Sequence, residues 1–374
     1  MFNRRDFLTA TAAAAAAAIP GQLRAAPEPA VGEWRNKQTN MTYRRLGRTG
    51  FMVSSIGMGG DDIRPNNIDQ VLWSMDQGLN YFDTAPNYGN GLSEKGYAAV
   101  NQARGRDKVF QCTKVNIFPN RTRAWSQIFN SLPDTEQAEI RRQVAADIEK
   151  KGIENPDYFG PYFTGQAQMV RMTAAINIVS EKYADKVDRQ KEYKQYMIDS
   201  VEKSLKSLNT DHVDCLLMRG IETAYEVSHA PEVFEAFETL KKQGKARFLG
   251  FSAHSDPAGI LDAAIDTGQY SMGMIAYHFL NHNRVNPVLE KAKKADFGVM
   301  AMKSARVLQN PFNRRQTIPE RVKALEALVP GDLSPIQKGF HYALQNPNLS
   351  GVVMGISDMD QAKQDVPLAF VKKA

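Results

Sequence analysis

FDTAPNYG, residues 82–89, followed by KVFQCTKV, residues 108–115, sets the fold of this 374-residue chain. In the first stretch an apolar run ends in Asp83, and Tyr88 follows five residues later on a turn containing Pro86 and Gly89. In the second an apolar run ends in Lys114. Short apolar runs bounded by turn residues read as buried strands. An acid, a phenol and an ammonium at the ends of successive strands form a proton-donor constellation. A tyrosine near pKa 10 is a poor acid at pH 7 unless a cation stabilises its phenolate, and an aspartate can hold that cation in place. Strand ends are where α/β folds carry their sites.

Outward from these strands the chain alternates in kind. TYRRLGRTGFMVSSIGMGG (42–60) reads as a hairpin around Thr49-Gly50 followed by a first barrel strand. Helical spacing runs from Ile68 to Gln77 and stops at Gly78, and Ser93–Ala103 suits another helix. Further strands are expected at 213–218, 246–251, 272–277, 298–302 and 351–354. Helices are expected at 196–208, 231–243, 256–267, 287–295, 318–327, 334–345 and 359–369. Eight strand–helix units with short apolar strands predict a (β/α)8 TIM barrel with an N-terminal β-hairpin. A doubly wound sheet is the other arrangement of such units, but no G-x-G-x-x-G follows the first strand.

One unit is too long. Residues 116–190 read as a helical insertion in the loop after the third strand, with helices at 135–150 and 166–186 around an aromatic loop, NPDYFGPYFTG (155–165). Loops after strands lie on the active face of such barrels. The rings of Tyr158, Phe159, Tyr162 and Phe163 therefore either cap the site or pack the insertion against the barrel.

The N-terminus, NRRDFLTATAAAAAAAIPGQLRAAPEP, places Arg4 and Arg5 before a short alanine run broken at Pro20-Gly21, with small residues near Ala25. It resembles a twin-arginine export signal spanning 1–25, with a linker at 26–41 and the barrel at 42–374. The expected location is periplasmic, with the twin-arginine export machinery as a partner and no stable membrane anchor after cleavage. Removal of 1–25 leaves 44 basic against 40 acidic residues, a charge too small and too scattered for nucleic acid. Export by this route carries folded proteins, so a redox enzyme would take a tightly held cofactor with it. The two cysteines, Cys112 and Cys215, lack metal-ligand spacing, and no metal site is expected. They read as buried free thiols or as a disulfide in an oxidising compartment.

Taken together, YRRLGRTGFMVSSIGMGG, FDTAPNYG, QCTKV, SVEKSLKSLNTDHVDCLLM, ARFLGFSAHS and VVMGISDMDQAKQD resemble the aldo-keto reductase family over about 43–115 and 194–370. The resemblance implies NAD(P)(H) as cofactor, leaving open which of the two nucleotides is used, and a small carbonyl or alcohol substrate. It implies Tyr88 as proton donor, tuned by Lys114 and Asp83. Gly59 and Gly60 at the first strand end, and Ser252 on the nicotinamide amide, are the implied cofactor contacts. Gly355, Ser357 and Gln361 would hold the adenosine phosphates, where a helix N-terminus suits an anion.

Three positions depart from the family. Its histidine falls on Arg219, its carboxamide-binding glutamine on Met274, and its stacking aromatic on Met302, with Lys303 beside it. Arg219 does not lose its proton, so its implied role is to stabilise a developing alkoxide or clamp a substrate oxygen. As a second cation it should also lower the pKa of Tyr88. The competing expectation for Arg219 is an ion pair with Glu222 or Glu226. His254 and His278, just after strand ends, are each either a replacement imidazole or a rim histidine, and Asn281, His282 and Asn283 form a polar loop. The leading expectation is an exported oxidoreductase. The alternatives are a barrel that binds a ligand without redox chemistry, motivated by the three departures, and a lyase or epimerase using Tyr88 and Lys114.

Overall fold

A computed structural model of the chain describes residues 32–371. The leader read at 1–25 lies outside the described residues. Eight parallel strands close into a barrel: β1 (Ile56–Gly59), β2 (Tyr81–Asp83), β3 (Phe110–Asn116), β4 (Val213–Ile221), β5 (Ala246–Ala253), β6 (Met272–Ala276), β7 (Gly298–Met302) and β8 (Gly351–Gly355). Each strand pairs with its neighbours in sequence, and β8 returns to β1. The apolar runs become strands because both of their faces are covered, one by the barrel interior and one by the outer helices. Tyr81, Phe110, Cys112, Cys215, Leu217, Met272, Met274, Met300 and Met302 fill the interior. Cys112 and Cys215 are free thiols in register on β3 and β4.

The hairpin is present as Tyr43–Arg45 against Phe51–Ser54, and the turn between them is a short 3-10 helix at Gly47–Thr49. Part of the expected linker is ordered. Glu33–Trp34 forms a two-residue strand paired parallel with Phe51–Met52. Charge pins it there. Asp214, fully buried, lies 2.7 Å from Arg106, 3.1 Å from Arg247 and 3.2 Å from Arg35, and both Arg35 and Arg247 also pair with Glu33. Two residues carry no readable period, so this strand has no sequence signature.

The insertion is helical, as expected at Asp134–Lys151 and Gln166–Lys182, and it contains a further helix, Phe118–Ser131, absent from the sequence reading. Its core is Trp125, Ile140, Val144, Ile148, Ile153, Val170, Ile176 and Val179. The helix expected from Pro287 begins five residues earlier, at His282. Asn281 is 1 % exposed, donates to the Ala276 carbonyl (3.0 Å) and accepts from the His278 amide (2.9 Å). The expected polar loop is therefore the start of a helix. Among the described residues no helix is long and apolar enough to cross a membrane.

Candidate active site

Asp83 ends β2 and Lys114 stands near the end of β3, so register alone brings them together: Asp83 is opposite Cys112, and Lys114 lies two residues on with its side chain on the same face. The Lys114 ammonium bonds the Asp83 carboxylate, and it donates to the Thr84 carbonyl and the Tyr88 hydroxyl at 3.1 Å each. Lys114 is 1 % and Asp83 3 % exposed. Tyr88 reaches them because the chain after it turns through three successive left-handed residues, Gly89, Asn90 and Gly91. Gly60 lets the loops close around this site, since a Cβ there would lie 2.5 Å from the Asp83 carbonyl oxygen.

Burial sets the protonation of the three groups. It pushes the Tyr88 hydroxyl above its ordinary value, and the opposing pull of Lys114 and the smaller one of Arg219 do not overcome it. Arg219 acts in the expected direction, but desolvation is larger. Burial likewise holds the Asp83 carboxyl above the usual range in spite of Lys114. Burial alone would lower Lys114, but Asp83 and Tyr88 outweigh it, so the ammonium is raised and stays charged.

Arg219 owes its direction to a bulge. Between Met218 and Ile221, β4 spends one residue more than β5, and Gly220 takes a positive φ of 72°. The guanidinium reaches the side-chain oxygen of Asn87. The expected acid pairs form elsewhere: Glu226 lies 3.2 Å from Arg121, and Glu222 accepts from Ser255. Among the described residues Arg219 has no carboxylate partner.

Ser252, Met274 and Met302 converge at the top of the barrel. Ser252 pairs in register with Met274, and among the described residues its hydroxyl contacts the Met302 sulfur, at 3.9 Å. The two methionines, 2 % and 7 % exposed, form an apolar floor beneath it. Lys303 follows in a left-handed conformation, φ 63°, and its ammonium has no hydrogen bond or ion pair among the described residues. Burial first, and the repulsion of Arg314 next, bring its ammonium down to about 8. A serine donor without a strong partner and an unpaired cation, above an apolar floor, fit an amide-bearing, anionic ligand.

Gly355 is exposed and open. The helix start beyond it is capped from within the chain. Asp358 caps that helix by accepting from the Gln361 amide at 2.9 Å, and the Gln361 side chain is turned back to the Ser357 amide and hydroxyl. Gly59 and Gly60 are closely packed: a Cβ on Gly59 would lie 2.9 Å from the Met354 carbonyl oxygen.

The two histidines separate. His278 is buried, with Nε2 at 2.7 Å from the Tyr162 hydroxyl, and burial brings its pKa to about 3. His254 has no hydrogen-bond partner among the described residues. Burial and the nearby Lys303, Arg219 and Lys114 charges hold it well below its ordinary value, so its ring is neutral. The sequence reading weighs Glu222 only as an ion-pair partner of Arg219 and not as a buried carboxyl. It lies near Arg219, and burial raises it to about 7. Nothing in its sequence neighbourhood marks that burial.

This barrel and its site define an aldo/keto reductase: the model of the Aldo/keto reductase family matches residues 65–160 and 177–371, and the chain belongs to that family. The twin-arginine translocation signal model matches residues 1–21. An L-galactose dehydrogenase of Arabidopsis thaliana is 24% identical over 88% of this chain and 88% of its own length. Among solved structures, aldo-keto reductase AKR11C1 from Bacillus halodurans, in its holo form, superposes with a TM-score of 0.57 at 20% identity, covering 88% of this chain and 90% of that one. An aldo-keto reductase from Klebsiella pneumoniae, solved in complex with NADPH, gives 0.52 at 17% identity over 89% and 91%.

Proposed function

We propose that the chain is an exported, periplasmic oxidoreductase that interconverts a carbonyl and an alcohol using NAD(P)(H), with Tyr88 as the proton donor and acceptor. The observation that carries this reading is the Lys114 ammonium seated between the Asp83 carboxylate and the Tyr88 hydroxyl. When bound, the nicotinamide supplies or accepts a hydride. The chain's own residues do the rest. Tyr88 protonates the carbonyl oxygen in one direction and takes the alcohol proton in the other. Lys114 stabilises the phenolate that results, and Asp83 fixes Lys114. Arg219 faces the developing alkoxide as a fixed positive charge, a role that needs no proton transfer.

Ser252 and Lys303 are the residues proposed to hold the nicotinamide end, with Met274 and Met302 beneath it. The name of the Arabidopsis relative supports a sugar alcohol or hemiacetal as the reacting group. The replaced histidine, glutamine and aromatic ring support the alternative, a barrel that has kept the pocket and lost the redox step. Tyr88→Phe separates the two. It should lower turnover at least about a thousandfold while NADPH affinity, followed by fluorescence, stays within about twofold. Full turnover in the variant would remove Tyr88 from the chemistry. A wild-type protein that binds neither nicotinamide nucleotide would favour the alternative.

A further inference from the structure

Arg219 has two acids close by in sequence, and neither pairs with it. Glu226, on the short helix Tyr225–Ser228, lies 3.2 Å from Arg121, which comes from the insertion helix Phe118–Ser131. The two side chains are 7 % and 8 % exposed. Glu226 also accepts from the Thr223 amide at 2.9 Å and the Thr223 hydroxyl at 2.5 Å. Arg121 donates to Asn177, on the insertion helix Gln166–Lys182, and Asn177 donates to Thr223 at 2.9 Å. One turn beyond Arg121, the buried Trp125 donates to the Tyr193 hydroxyl at 2.6 Å and fixes that face of the helix. Glu222 accepts from Ser255, whose hydroxyl accepts from Gln166 of the insertion at 3.2 Å. The insertion thus holds one acid directly and the other through a serine.

A shared cavity makes the first of these pairs consequential. Arg219, Gly220, Arg121 and Glu226 all line the space between the insertion and the end of β4. The third arginine of that cavity, Arg189, is already bound to Glu232 at 2.8 Å. A buried carboxylate without a cation is strongly unfavourable. Without Arg121, the uncommitted cation of the cavity would be Arg219, whose one hydrogen-bond partner among the described residues is the neutral Asn87 side chain. A carboxylate binds a guanidinium more strongly than an amide oxygen does, so Arg219 would leave Asn87 for Glu226.

We propose that Arg121 is a positioning residue for the active site: by neutralising Glu226 it keeps Arg219 on Asn87, beside Tyr88, with its charge directed at the substrate oxygen. This rests on the carbonyl–alcohol reading of the site and gives the insertion a part in it. Arg121 touches neither substrate nor cofactor. It acts only through the choice of partner open to Arg219.

A charge-cancelling pair of variants tests this. Arg121→Gln keeps a donor for Asn177 and loses the charge. Its kcat, in glyceraldehyde reduction or L-galactose oxidation, whichever the wild type supports, should fall about 10- to 100-fold, as for loss of a preorganised donor. NADPH affinity, followed by fluorescence, should stay within about twofold. Adding Glu226→Gln removes the acid that captures Arg219, and kcat should return to within about threefold of wild type. Crystal structures should show the Arg219 guanidinium on Glu226 in the single variant and back on Asn87 in the double. Arg219 still on Asn87 in Arg121→Gln, or a double variant no faster than the single, would make Arg121 a packing residue and overturn the proposal. Should Arg121→Gln alone not fold, the double variant decides: wild-type kcat shows that Arg121 matters only through Glu226, and a tenfold loss overturns the proposal. A wild type that turns over neither substrate would sink the carbonyl–alcohol reading and leave the position of Arg219 in the crystals to judge Arg121.

Discussion

The Arg219 guanidinium crosses from the bulge of β4 and donates to the side chain of Asn87, the residue before Tyr88. It therefore ties together the loop carrying the phenol and the strand standing where the family places its histidine. Its partner is a neutral amide, so the full positive charge remains available to a substrate oxygen. Arg219→Lys keeps that charge but loses the planar fork that spans the gap. We expect kcat to fall about 10- to 100-fold, in the range of losing one preorganised donor. Asn87→Ala should cost less than about 1 kcal/mol of stability, since the pair lies at a partly exposed rim. It should still lower kcat by loosening Tyr88. Steady-state kinetics and urea unfolding on the two variants check this. An unchanged kcat in Arg219→Lys would reduce Arg219 to a bystander charge.

Asp83 and Lys114 are a buried pair whose partners cannot be removed singly without consequence. Lys114→Met leaves the Asp83 carboxylate buried without its cation, and about 3 kcal/mol of stability should be lost near pH 8. Burial already holds the Asp83 pKa above its unfolded value, and losing Lys114 raises it further. Between the unfolded and folded pKa values the folded state then binds more protons than the unfolded one, so stability falls as pH rises through that window. The loss in Lys114→Met should accordingly shrink on going from pH 8 to pH 5. Unfolding curves at the two pH values measure it. A loss independent of pH would mean that the lysine is a packing residue and not the counter-ion of Asp83.

Much of this architecture can be read from local pattern. The strands of the barrel are short apolar runs between turn residues, and Asp83, Tyr88 and Lys114 lie where such runs end. The parts that escaped the reading depend on distant partners. Glu33–Trp34 is a strand because Asp214, far along the chain, gathers three arginines beneath the barrel. The Arg219–Asn87 contact depends on a one-residue bulge that periodicity does not report. The aromatic loop divides its roles one residue at a time. Tyr158 and Tyr162 anchor the insertion, while Phe163 faces His254. Residue type alone cannot separate those roles. The two cations that lower the Tyr88 pKa are visible in the sequence, whereas the burial that outweighs them is not.

Glu222 supplies a pH signature that belongs to the fold. Its carboxyl is 2 % exposed, accepts from Ser255, and is raised from 4.5 to about 7, by burial first. Glu226 adds repulsion, and Arg219 and the Ser255 hydrogen bond only partly offset it. An unfolded Glu222 has released its proton well below pH 7, whereas the folded chain keeps it until about pH 7. The folded state thus binds more protons across that window, and stability falls as pH rises through it, by about 3 kcal/mol at most, then levels off above pH 7. Glu222→Gln cannot ionise and retains an oxygen that accepts from Ser255. Its stability should match the wild type near pH 4.5 and exceed it near pH 8, with a melting temperature higher by a few degrees. Thermal unfolding of both proteins from pH 4.5 to pH 8 reads this directly. A variant that is equally destabilised at every pH would show that the folded chain needs an ionised carboxylate at this position, and would overturn the raised pKa of Glu222.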